Sequence, residues 1–173
     1  MSHHDERQDH IKKLWSLIKD IKFGMLTTVD EDNTLRSRPM ATQSVEFDGD
    51  LWFFTYASSP KVDEVQHDQH VNVSFANNDD NVWVSTSGRA QIVRDRQKME
   101  ELWNPILKTW FPKGLDEPDI ALLKVNVTHA EYWDTPSSTV VHLAGFLKSQ
   151  ITGIPPSPGE NEKIDLEQSR GSA

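Results

Sequence analysis

Apolar residues recur along this chain with two periods, and the switches between them mark its elements. Over residues 6–22, Ile11, Leu14, Trp15, Ile18 and Ile21 return at the spacing of one helical face, while Lys12, Lys13, Lys19 and Asp20 lie largely off that stripe. Gly24 follows as a helix stop. From Phe23 to Val29 the period drops to two, with Met25, Thr27 and Val29 alternating against Leu26 and Thr28. Runs of the same kind predict strands from Leu35 to Val45, Leu51 to Tyr56, Val71 to Ala76, Val82 to Val93 and Ile120 to Trp133. Pro39 withholds a ladder donor, so its strand is an edge, a bulge or an opening toward a ligand. Gly88 predicts a bend or bulge in the long fifth strand.

The helical period returns between the strands. Residues 60–68 predict a short helix with Pro60 in its first turn and Val62 and Val65 inward. Asp95 is the expected N-cap of a helix from Arg96 to Trp103 that carries Met99, Leu102 and Trp103 inward. Ile106, Leu107, Trp110 and Phe111 continue an apolar face as far as Pro112-Lys113-Gly114. Ser137 or Ser138 is a candidate cap for a last helix through Gln150. From Gly153 the composition turns to proline, glycine and acidic residues, which predicts an exposed, flexible tail over 153–173 and one domain over 1–152. Ile164 and Leu166 are the tail's expected contacts, and its removal is expected to leave the fold intact.

Six strands with helices at the ends predict a mainly β architecture, an antiparallel barrel with flanking helices. An open α+β sandwich is the alternative. No G-x-G-x-x-G follows a strand, which argues against a dinucleotide-binding parallel sheet. Phe47-Asp48-Gly49-Asp50 predicts a hairpin joining the strand of Arg36 and Arg38 to the strand that ends in Thr55-Tyr56-Ala57-Ser58-Ser59-Pro60-Lys61.

Composition narrows the function. The net charge of −9 argues against a general nucleic-acid binder and against anionic membrane surfaces. The absence of cysteine removes disulfides, thiol catalysis and cysteine-based metal sites together. The polar N-terminus lacks the apolar core of a signal peptide, and no run reaches the length of a membrane span, so a cytoplasmic protein is expected. Six tryptophans and seven phenylalanines fill either a core or a subunit interface. Trp15 and Trp103 sit on helical stripes and read as core, whereas Trp83, Trp110 and Trp133 lie near segment ends.

The basic hairpin is a local exception in this acidic chain. Arginine offers a planar fork of donors, lysine a point charge, serine and threonine single hydrogen bonds, and a helix start near Pro60 free backbone N–H groups. Together they suit a phosphate; otherwise they are a solvated hairpin. No Walker A motif and no G-x-S-x-G elbow is present, so the phosphate would belong to a cofactor or ligand. His67 and His70 flank Asp68, but no third or fourth ligand for a metal is indicated.

The run Phe54-Thr55-Tyr56-Ala57-Ser58-Ser59-Pro60-Lys61 resembles the Y-T-N-Y-x-S-R-K run of the pyridoxamine 5'-phosphate oxidase family. Arg38-Pro39-Met40 is similar to the preceding strand of that family's FMN-binding split barrel. Arg36-Ser37-Arg38-Pro39-Met40 and Glu131-Tyr132-Trp133-Asp134 are closer to its general stress protein 26 branch. The resemblance spans roughly residues 8–152. It implies a six-stranded split barrel, a homodimer with flavin at the subunit interface, and FMN as cofactor, with FAD as the alternative and a deazaflavin a remoter option. Arg38, with Arg36, would clamp the phosphate, joined by Lys61 and Ser59. Thr55 and Phe54 would lie along the ribityl chain and ring, and Pro39 and Met40 would meet the ring's polar edge. Trp83, Ser85, Ser87 and Trp133 would approach from the second subunit. The activity implied is that of a low-specificity flavin-dependent oxidoreductase with an unknown small-molecule electron donor or acceptor. A non-catalytic flavin-binding or storage protein, or a cofactor-free interaction module, is the alternative. Two departures weigh against true pyridoxamine-phosphate oxidation: proline replaces arginine in Ser59-Pro60-Lys61, and no arginine lies between Arg96 and Arg170.

Overall fold

A single antiparallel sheet carries the chain, and its longest strand does most of the joining. The computed structural model describes residues 3–43, 45–135 and 159–167. Within them, helix α1 (His3–Ile18) precedes strands β1 (Phe23–Val29), β2 (Leu35–Ala41) and β3 (Asp50–Tyr56). Helix α2 (Pro60–His67), β4 (His70–Asn77), β5 (Val82–Val93) and helix α3 (Arg96–Leu102) follow. Two 3-10 turns (Pro105–Thr109 and Gly114–Asp116) lead to β6 (Ile120–Asp134) and β7 (Glu160–Asp165). None of the described helices is long and apolar enough to cross a membrane. The helix expected from Ser137 or Ser138 to Gln150 lies outside the described residues.

The strands stand in the order β2-β1-β4-β5-β6-β3, with β7 added beside β6. β6 spans 15 residues. One of its edges pairs with β5 from Val82↔Asp134 to Val93↔Leu122. Its other edge is shared: Ile120–Asn126 pairs with β3, and His129–Asp134 pairs with β7. β2 and β3 are thus the margins of the sheet, and no ladder joins them. The barrel is split along that line, as the split-barrel reading requires, and Pro39 sits on the open margin.

The hairpin expected across Phe47–Asp50 does not form. The Asp-Gly turn is there, with Asp50 N donating to Asp48 Oδ1 at 3.0 Å and Gly49 at φ +113°. Yet Val127 N donates to Gly49 O at 2.9 Å, and the turn delivers β3 onto β6. Burial explains the choice of partner. Leu51, Phe53 and Phe54 are buried, and β6 meets them with buried Leu122, Leu123 and Val125. β2 exposes Leu35, Arg36, Ser37 and Pro39 and buries only Met40, so it could not cover that strand. It pairs instead with β1 across the Asp30–Thr34 turn.

Gly88 makes the expected bulge. The β5–β6 register shifts between Ser87 and Gly88, and a Cβ at Gly88 would stand 2.0 Å from the Asn126 carbonyl oxygen. Inside the barrel, Leu14 and Ile18 of α1 join Phe47, Phe53, Leu123 and Tyr132 in one core. Outside it, Phe54, Ile120 and Leu122 pack on Met99, Leu102, Leu107 and Phe111. β3 and β6 are therefore covered on both faces, which accounts for their nearly unbroken apolar runs. Asp95 caps α3 as expected, accepting from Lys98 N.

Part of the expected tail is a strand. β7 lies along β6, and Ile164 and Leu166 are 2% and 1% exposed in the barrel core. The acidic residues that suggested solvent are partly used by the fold. The Tyr132 hydroxyl lies 2.8 Å from both Glu160 and Glu162 and can donate its proton to either, while Lys13 Nζ of α1 donates to Glu160 at 2.9 Å. Burial, then these two carboxylates, push the Tyr132 hydroxyl well above the usual tyrosine range.

Candidate functional site

The split between β2 and β3 is where the chain opens. Pro39, Met40 and Ala41 form one wall of a groove of about 270 Å³, and Phe54, Thr55 and Tyr56 form the other. Lys61 closes one end, and Phe23, Leu107, Trp110 and Phe111 complete the lining. The aromatic wall is fixed by contact within the fold. Phe54 meets Trp103 edge-on at 5.5 Å, Tyr56 lies 4.9 Å from Phe111, and the Tyr56 hydroxyl donates to Trp110 O at 2.9 Å. Phe23 and Trp110 stand edge to face at 6.1 Å on the rim.

The polar end is built by the start of α2. Ser59 is the N-cap residue, and Pro60 opens the helix. The Ser59 hydroxyl donates to Tyr56 O at 2.7 Å and lies 3.1 Å from Thr55 Oγ1. Lys61 Nζ donates to the same Thr55 Oγ1 at 3.3 Å. Burial and the neighbouring Arg38 hold the Lys61 ammonium below the usual lysine range, with Glu64 pulling the other way. Ser58 turns aside to Asp119, with Oγ to Oδ2 at 2.5 Å.

Five of the twelve residues expected at a flavin line this groove: Pro39, Met40, Phe54, Thr55 and Lys61. Ser59 adjoins it through Thr55. Arg38 is close enough to Lys61 to affect its charge, but its guanidinium is held by Glu64, with Nη2 to Oε2 at 2.6 Å, and by Thr28. Arg36, expected as its partner, is set apart: its Nε donates to Asp30 Oδ2 at 2.5 Å in the exposed β1–β2 turn.

Trp83, Ser85 and Trp133 line a neighbouring open cavity with Met25 and Ser74. Phe23 borders both that cavity and the groove. Ser87 lies farther along the same sheet face, in a depression with His70, Arg89 and His129, and Asn72 Nδ2 links Ser85 and Ser87 at 2.8 and 3.1 Å.

Sequence reasoning missed Phe23, Ala41, Tyr56, Leu107, Trp110 and Phe111 as groove residues, and it missed Glu64. The apolar stripe over residues 106–111 was visible, but its role as a wall depends on how β3 and β6 meet it. Glu64 was signalled only by its place between Val62 and Val65 on the buried side of α2.

A family model described as pyridoxamine 5'-phosphate oxidase like matches residues 9–157. The chain belongs to that family. Among curated relatives, protein bli-3 of Neurospora crassa is 33% identical over 168 residues, covering 91% of this chain and 80% of bli-3. Among solved structures, a putative general stress protein 26 from Jannaschia sp. superposes with a TM-score of 0.76 at 23% identity, covering 91% of this chain and 99% of that one. The general stress FMN/FAD binding protein of Xanthomonas citri superposes with a TM-score of 0.65 at 28% identity, covering 76% and 92%. In this member of the pyridoxamine 5'-phosphate oxidase-like family, Pro60 stands where the Y-T-N-Y-x-S-R-K run carries arginine. The structure gives that proline a use, as the first residue of α2.

Proposed function

We propose that the chain is a cytosolic flavin-binding protein of the general stress type, with FMN as its cofactor and FAD as the alternative. The observation that carries the reading is one groove with an aromatic wall and a lysine-and-hydroxyl end. A flat ring with a phosphate at the far end of a flexible chain matches that layout. Lys61, Thr55 and Ser59, backed by Arg38, would take the phosphate, and Pro39, Met40 and Phe54 would flank the ring. A bound flavin supplies hydride and single-electron chemistry. The chain's part is to bind, orient and exclude water. Among the described residues, Lys61 is the sole ionisable group lining the groove besides Tyr56, so these residues bring little acid–base machinery of their own. That favours a low-specificity oxidoreductase, or a carrier with no turnover.

A spectrum of the purified protein and titration with FMN and riboflavin test the reading. Lys61→Ala and Arg38→Ala are each expected to weaken FMN about tenfold to a hundredfold and riboflavin little, because a charge-assisted contact is lost only with the phosphate. Equal losses for both ligands would place the phosphate elsewhere. Rapid reduction by NADH or NADPH would support turnover; none would leave a carrier.

The homodimer belongs to the same proposal. Phe23, Met25, Trp83 and Trp133 are 49%, 41%, 39% and 40% exposed, and they share one sheet face beside the groove. A second copy packed there would bring its Trp83, Ser85, Ser87 and Trp133 toward the first copy's ring end. Oxidation of pyridoxamine 5'-phosphate is not expected. It needs a second anion site over the ring, and among the described residues the groove lining holds one cation, Lys61. Holo-protein should turn this substrate over under oxygen well below about 1 per second, measured as pyridoxal 5'-phosphate formed.

A further inference from the structure

One buried carboxylate at the charged end of the groove has no task in the reading above. Glu64 follows Lys61 by three residues on α2 and is 6% exposed. Its Oε2 accepts from Arg38 Nη2 at 2.6 Å and from the Thr28 hydroxyl, and Arg38 Nη1 donates to Thr28 in turn. Thr28 itself is fully buried. The cluster thus ties β1, β2 and α2 together beside Lys61. A buried ion pair commonly gives no more stability than apolar side chains of the same volume. Stability alone therefore gives little reason for this one to stand at the groove's cationic end.

We propose that Glu64 is a positioning residue for phosphate recognition. It seats the Arg38 guanidinium beside Lys61 before a ligand arrives, and its negative charge sets how strongly the site prefers a phosphorylated flavin to the unphosphorylated one. The inference rests on the flavin reading above. Arg38 and Lys61 bring two positive charges, and Glu64 returns one. The seat and the charge are separable by substitution. Glutamine keeps the shape and the acceptor oxygen but removes the charge, so Arg38 stays seated and the end gains one net positive charge. At a separation under about 10 Å and an intermediate effective dielectric, one unit charge changes the affinity for a phosphate by about tenfold. Alanine removes the seat as well, and Arg38 must then be ordered at the moment of binding.

The experiment measures Kd for FMN and for riboflavin with the wild type, Glu64→Gln and Glu64→Ala, and reads the ratio of the two. The expected result is a ratio that moves toward FMN by about tenfold in Glu64→Gln and away from FMN in Glu64→Ala. If Glu64→Ala does not fold, Thr28→Val removes the other half of the seat without changing volume, and it should also shift the ratio away from FMN. A merely structural Glu64 would lower the melting temperature of the variants and leave the ratio unchanged, and that result overturns the proposal. So does an equal fall in the ratio for Glu64→Gln and Glu64→Ala. A wild type that binds neither flavin removes the flavin reading itself, and this assignment with it.

Discussion

Lys61 is the residue on which the proposed phosphate site turns, and its proton is held less tightly than that of an exposed lysine. Burial and Arg38 depress its pKa. The folded chain therefore binds that proton less tightly than the unfolded chain, whose lysines titrate near about 10.4. Stability referable to Lys61 should rise as the pH climbs through the folded value toward the unfolded one. Ligand preference should run the opposite way, because a phosphate favours the charged ammonium. From neutral pH up to about pH 10, the preference for FMN over riboflavin is expected to decline. Ionisation of the ring affects both flavins alike, so the ratio isolates the phosphate end. Lys61→Arg, with a side chain that stays charged, should flatten the curve. A flat curve for the wild type would mean that Lys61 does not face the phosphate.

Among the elements, β7 is the one whose importance the composition concealed. Leu166, just past β7, is 1% exposed and its N–H donates to Thr128 O at 2.7 Å. Leu166→Ala should cost about 2–5 kcal/mol. In a chain of this size that lowers the melting temperature by roughly 5–15 °C. A thermal melt checks it, and an unchanged midpoint would return Leu166 to an exposed tail. The first six strands, α1, α2 and α3 were legible because periods of two and of about 3.6 follow directly from backbone geometry. Partner choice was not legible. The Asp48-Gly49 pair announces a turn whichever strand comes next, and burial on both faces of β3 decided for β6. In β7, Ile164 and Leu166 alternate among acidic residues, and only the proximity of Tyr132 and Lys13 shows where those carboxylates go. The same limit applies at the groove. Lys61, Thr55, Phe54, Pro39 and Met40 were readable from a local run. The pairing of Arg36 with Asp30 and of Arg38 with Glu64 depends on contacts across turns and between elements.

The whole molecule presents an uneven surface. One face of the sheet shows Phe23, Met25, Trp83 and Trp133, an exposed apolar area of the kind that marks an interaction site. Trp133→Asp places a charge where a second copy would pack. Sedimentation at micromolar concentration should show the wild type as a dimer and the variant as a monomer, with flavin affinity falling in step. A monomeric wild type with full flavin affinity would confine the site to one chain.

The divided edge of β6 also bears on synthesis. β6 leaves the ribosome before β7 does, with residues 135–159 between them. Until β7 docks, β3 would satisfy Ile120–Asn126, but the edge that His129–Asp134 gives to β7 in the fold would stay open beside Trp83 and Trp133. An open edge of this kind is a template for strands of other nascent chains. Newly made chains at high local concentration would be the place where misassembly begins. Any delay in docking β7 would lengthen the exposure, and a chaperone that shields strand edges would relieve it.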